Sequence, residues 1–197
     1  DEHQIQFTWV IHQLLSCIIH VVHLKTTMKQ TLNFTFFLSG PSSQWHRCKF
    51  TVDDIQFNCA EQFMMYNKAL IFNDMDSAGT ILEANTPREQ KMLGRNISNF
   101  DEDQWKLFRE GVVFTGNYAK FCQNPKLKEQ LLSTRGTLLV EVSPKDPIWG
   151  IGLGKDDSRA NDPAKWRGQN LLGYILTRVR LVIDSEFDMC AGDSRFR

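Results

Sequence analysis

Glu61 and Lys68 stand seven positions apart in NCAEQFMMYNKALIF, residues 58–72, a stretch otherwise dominated by apolar side chains. Seven residues is close to two helical turns at about 3.6 residues per turn, so the two project from nearly the same face, with Met64 and Met65 between them. A carboxylate and an amine on one face can do chemistry. The first can stabilise a developing cation or activate water, and the second can bind an anion, protonate a leaving group or attack a carbonyl. A structural reading competes. Asn58 followed three residues later by Glu61 is a capping box, which satisfies amide donors at a helix start.

Other charged residues sit in equally apolar surroundings. Glu141 is embedded in TLLVEVS, where a carboxylate costs several kcal/mol unless it is paired or near solvent at a site. Asp146 follows at the start of a long loop. Such groups are the usual material of acid-base or carbohydrate chemistry, although alone they identify no reaction. Gly150, Gly152 and Gly154 resemble a phosphate loop only loosely, because Lys155 occupies the position where the dinucleotide fingerprint needs glycine. Their backbone amides suit either a phosphate nest or plain loop flexibility. Trp149 and Trp166 flank the same loop, as lids on a core or as stacking platforms for a base. His46 is the only histidine beyond the first thirty residues, and no Ser-His-Asp or Cys-His arrangement is legible.

These residues must be positioned by a recognisable order of elements. TLNFTFFLS alternates as a strand does, and CKFTVDDIQF reads as a hairpin turning at Asp53-Asp54. The helix carrying Glu61 and Lys68 follows from Asn58, and another spans about 76–83. Thr86-Pro87-Arg88-Glu89 supplies an N-cap, a proline at the first helical position and a capping box, with Gly94 as the stop. Trp105, Phe108, Val112 and Val113 recur at helical spacing in a helix from 101 to about 121. Asn124-Pro125 restarts a short helix, Gly136 hands over to the Glu141 strand, and the last helix is expected over 163–183. The class is α+β, a single mainly helical domain with a small β-sheet.

The chain has 197 residues, enough for one domain with a proper core. Its 23 basic and 23 acidic side chains balance, so no net field draws it onto nucleic acid or an anionic membrane. Five scattered cysteines with no CxxC argue against a disulfide framework and a zinc site, and point to a reducing, cytoplasmic setting. Residues 5–24 carry no Asp, Glu, Lys or Arg over a length near the ~20 residues that cross a bilayer. Interrupting Gln, His and Ser residues and an acidic flank favour an extra helix over an anchor or signal peptide. Residues 1–30 are therefore read as an apolar helical extension, 31–184 as the main folded domain and 185–197 as a tail.

Eight stretches in order, FTFFLS, SQWHRCKFTVDD, NCAEQFMMYNKALIF, TPREQKMLGR, FDEDQWKLFREGVV, GNYAKFCQNPKLKEQLLST, LLVEVSPKDPIWGIGLG and DPAKWRGQNLLGYILTRVR, closely resemble the NADAR family of YbiA-like domains. The resemblance covers about 34–182. One departure is Asp54, where family members commonly have glycine.

The resemblance implies a YbiA-like fold and cleavage of N-glycosidic bonds between ribose and a base. Two substrate classes come with it, ADP-ribose attached to guanine and the ribosylamino-pyrimidine phosphates of early riboflavin synthesis. Breaking a ribosyl C–N bond develops positive charge on the sugar, a role that fits Glu61. Lys68 is then a phosphate ligand, an acid or a Schiff-base nucleophile, and Asp146 a partner of the ribose hydroxyls. Trp149 would stack on the base. Arg95, Lys120 and Arg167 are the cations available for phosphate, and Asn170 holds the loop or a sugar hydroxyl. Trp105, Glu141, Gly150 and Gly152 complete the expected substrate-binding set. No metal and no cofactor is expected. The expected partner is a nucleotide-like small molecule, or ADP-ribosylated guanine in a nucleoside or nucleic acid, with no stable protein partner. A non-catalytic module that reads ADP-ribose or a nucleotide is the alternative.

Overall fold

The computed structural model describes residues 33–192, with side chains through 185. The apolar segment 5–24 lies outside them. Among the described residues no helix is long and apolar enough to cross a membrane.

The alternating phenylalanines form β1 (Phe34–Phe37), which pairs in parallel with the distant β4 (Leu138–Glu141), Phe34 opposite Leu138 and Phe37 opposite Glu141. A parallel pair needs cover on both faces. Leu139 packs into the helical core and Val140 into a smaller cluster formed by the following loop, with Ile151, Leu153 and Ala160. The hairpin is β2 (Phe50–Val52) with β3 (Ile55–Phe57), antiparallel. Asp53 and Asp54 both take left-handed conformations, φ 49° and 62°, as the tight primed turn requires. Aspartate tolerates that region better than most residues with a Cβ, which is how Asp54 serves where glycine is usual.

Six helices follow among the described residues: α1 (Ala60–Ile71), α2 (Met75–Glu83), α3 (Pro87–Arg95), α4 (Glu102–Gln123), α5 (Pro125–Leu132) and α6 (Leu171–Gly192). The start of α3 follows its local signals, with Pro87 at the first position and the Thr86 hydroxyl accepting the Glu89 N–H at 3.2 Å. Gly94 does not stop it; the helix runs on to Arg95.

The last helix begins later than its apolar periodicity suggests. Pro163–Lys165 forms a separate 3-10 turn, and α6 starts at Leu171 because Asn170 adopts φ 53°, outside the right-handed helical region. The buried Asn170 amide is committed elsewhere: its Oδ1 accepts the Glu141 N–H and its Nδ2 donates to the Leu139 carbonyl, each at 3.0 Å. One side chain thus locks the end of β4 to the head of α6. Met64, Met65, Trp105, Val113, Leu172 and Ile175, with their neighbours, make α1, α4 and α6 the main core.

Candidate active site

The first turn of α1 decides what Glu61 does. Cys59 occupies the N-cap without a capping side-chain bond. The Asn58 N–H is taken by Gln62, whose Oε1 accepts it at 2.8 Å, while Gln62 Nε2 donates to the carbonyls of Ile81 and Leu82. The expected capping box therefore does not form, and Glu61 is released from the backbone. Its own N–H goes to the Gln44 carbonyl at 3.0 Å, and its side chain reaches a cleft of about 420 Å³.

Glu61 is 2% exposed, and its Oε1 is shut off from water without an acceptor's usual donor among the described residues. Burial lifts its pKa to about 7 against the pull of Lys91 and the Trp45 indole, and Asp146 lifts it further. Glu141 behaves alike. It sits at the end of β4 with Oε2 buried and unpartnered, and burial with the negative charges of Asp146 and Glu61 raises it to about 7. Three carboxylates thus influence one another at this end of the sheet, two of them poised to gain or lose a proton near neutrality.

Lys68, two turns along α1, lines the same cleft. Its Nζ donates to the Gly94 carbonyl at 2.7 Å and lies 3.9 Å from the Phe100 ring centroid and 5.9 Å from that of Trp105. Burial lowers its pKa, and Glu102 opposes that shift. An amine held this way carries more of its free base near neutral pH than an exposed lysine would, which increases its nucleophilicity.

Asp146 turns the loop. Its Oδ1 accepts the N–H groups of Ile148 and Trp149 at 3.1 and 2.8 Å, placing Trp149 at the wall of the cleft. The long loop is braced rather than loose, because its two arms exchange backbone bonds, among them Arg167 N–H to Ile151 and Leu172 N–H to Trp149. The glycines serve this close threading. A Cβ on Gly150 would stand 2.9 Å from the Glu141 carbonyl oxygen, and Gly152, at φ 66°, backs directly onto Arg167.

Of the residues expected from sequence, Glu61, Lys68, Asp146, Arg95, Trp105 and Trp149 share the cleft. Lys120, Glu141, Gly150, Gly152, Arg167 and Asn170 are outside its lining. Lys120 is fully buried, with its pKa lowered to about 8 by burial and its Nζ donating to the Ser43 carbonyl at 2.9 Å. It ties α4 to the turn before Gln44. Arg167 is exposed. Trp166 caps the loop's own small core, its indole N–H donating to the Ala160 carbonyl.

The sequence reading missed Lys91, Phe100, Glu102, Arg109 and Lys145, all of which line the cleft. Arg109 had a usable signal: it lies four residues after Trp105 and four before Val113, a charge within an apolar stripe. Lys91 precedes Arg95 by one turn of α3. Lys145 had none, since its place depends on the loop. Among the described residues no three His, Cys, Asp or Glu side chains gather as metal ligands would.

Residues 36–184 match the family model described as the NADAR domain. Protein irg-1 of Caenorhabditis elegans is 44% identical over 128 residues, which cover 64% of this chain and 60% of that protein, so the match spans less than two thirds of that relative. N-glycosidase R617 of Acanthamoeba polyphaga mimivirus is 42% identical over 125 residues, covering 64% of this chain and 74% of that one. The solved NMR structure of the E. coli protein YbiA superposes with a TM-score of 0.66 at 25% identity, over 81% of this chain and 89% of that one.

Proposed function

The chain belongs to the NADAR family, and from that membership and the chemistry of its cleft we propose that it is an N-glycosidase, a hydrolase of the C–N bond between ribose and a base. The observation that carries this reading is Glu61, a buried carboxylate with an unpartnered oxygen at the wall of a cleft that also holds Lys68. As the C–N bond lengthens, positive charge grows on the ribose, and an ionised Glu61 in a water-poor setting stabilises it more strongly than bulk solvent would. The carboxylate also orients the water that adds to the anomeric carbon and accepts its proton. The departing nitrogen needs a proton in turn. The Lys68 ammonium or the protonated form of a neighbouring carboxyl supplies it.

The lowered pKa of Lys68 supports a second use: its free amine adds to C1 of the ring-opened riboside, the base leaves from C1 as its nitrogen takes a proton, and water hydrolyses the resulting Schiff base to free sugar and Lys68 amine. Asp146 contacts the ribose hydroxyls and Trp149 stacks on the base in this reading. The substrates are phosphorylated ribosides, ADP-ribosylated guanine or ribosylamino-pyrimidine phosphates. Incubation with each, followed by chromatography for released base and sugar, tests the reading. Tight binding without release would favour a non-catalytic reader.

A further inference from the structure

Arg109 is only 8% exposed, yet its guanidinium is poorly satisfied. Among the described residues nothing accepts from its buried Nε, and its Nη1 stands 3.8 Å from Glu102 Oε1, at the outer limit of an ion pair. Its guanidinium carbon lies 6.0 Å from the Trp149 ring centroid, at the wall of the cleft. A buried guanidinium with spare donors is costly to keep, and its planar fork matches the oxygens of a phosphate or diphosphate better than a point-charge amine does. Glu102, by contrast, has a half-exposed side chain and can swing away at little cost.

We propose that Arg109 is the anion ligand of the cleft, donating to one phosphate oxygen through Nε and to another through a terminal nitrogen, and that Glu102 occupies its charge in the free protein. The proposal rests on the N-glycosidase reading for the ligand class, a phosphorylated riboside, and deepens it by placing the phosphate. Of Arg95, Lys120 and Arg167, the cations that the family resemblance makes available for phosphate beside Lys68, only Arg95 lines the cleft, and it is exposed. Exposed cations bind phosphate weakly and lose more of that attraction to salt. With Arg109 beside Trp149, the phosphate lies on the α4 side of the cleft and the ribose faces α1. A monoester and a diphosphate use the same fork.

Calorimetric titration of the full chain with ribose, ribose 5-phosphate and ADP-ribose tests this. The wild type should bind both phosphorylated ligands at least ~10-fold tighter than ribose, a factor in keeping with charge-assisted hydrogen bonds. Arg109→Met should remove that preference, Arg109→Lys restore only part of it, and Glu102→Gln tighten the phosphorylated ligands a few-fold while leaving ribose unchanged. A folded Arg109→Met protein that keeps the full preference would overturn the assignment. So would unchanged phosphate affinity in Glu102→Gln if Arg109→Met does not fold. Because binding is read without turnover, phosphate recognition through Arg109 in a protein that cleaves nothing would sink the N-glycosidase reading alone.

Discussion

Gln62 accepts the Asn58 N–H at 2.8 Å, the contact that sequence spacing assigns to its neighbour Glu61. Two adjacent side chains thus divide structure and chemistry between them. The division makes opposite predictions for the two positions.

Gln62→Ala should lower stability by about 2–3 kcal/mol. It leaves the buried Ile81 carbonyl, the half-buried Leu82 carbonyl and the Asn58 N–H without their partner. Denaturant unfolding measures this, and a loss below about 0.5 kcal/mol would contradict the network.

Stability should fall as the medium becomes more alkaline. Glu61 and Glu141 titrate at about 7 in the folded protein against 4.5 for a free side chain. Between those values the folded state retains protons that the unfolded chain has released, so their contribution is complete below 4.5 and disappears as pH rises through about 7. For Glu61 the effect is on the order of 3 kcal/mol. Glu61→Gln should therefore gain on the wild type between pH ~5 and ~8 in paired urea titrations. A difference independent of pH would show that Glu61 is not the titrating group.

The ascending limb of kcat/KM against pH should fall near 7, where Glu61 ionises, well above the ordinary carboxylate range. In Glu61→Gln that limb should vanish along with most of the activity. A limb that persists at the same pH in the variant assigns it to another group.

Lys68→Met should reduce turnover by ~100-fold or more while the protein remains folded, because an apolar chain of similar length can still lie against Phe100 and Trp105. Borohydride added during turnover should trap a sugar adduct on the wild type and none on the variant. Trapping that survives the substitution would remove Lys68 from the Schiff-base role.

Local rules revealed the hairpin, with Asp53 and Asp54 at its turn, and the start of α3 at Thr86-Pro87, since each depends on backbone chemistry within a few residues. They misassigned the cap of α1 because Gln62 and Glu61 both offer side-chain oxygens, and the choice is made by carbonyls of α2 that a linear reading cannot bring near. The start of α6 shifted for the same kind of reason. Asn170 meets β4, so its amide and its φ are set by a strand some thirty residues earlier. Within the site, α1 announced itself through charges in an apolar run. Lys120, named as a phosphate cation only on the family resemblance, donates instead to the Ser43 backbone carbonyl, and Arg109 was hidden in a stripe read only for its apolar members.

The most direct test of Glu61 as the group that stabilises the ribosyl cation is single-turnover cleavage of ADP-ribosylated guanosine, with a ribosylamino-pyrimidine phosphate run in parallel. Wild type and Glu61→Gln are compared at the same pH, after circular dichroism has shown both folded. The wild type should release guanosine and ADP-ribose, or base and sugar phosphate from the second substrate, and the isosteric variant should do so ~100-fold more slowly or worse. Equal rates in the two proteins would contradict the account.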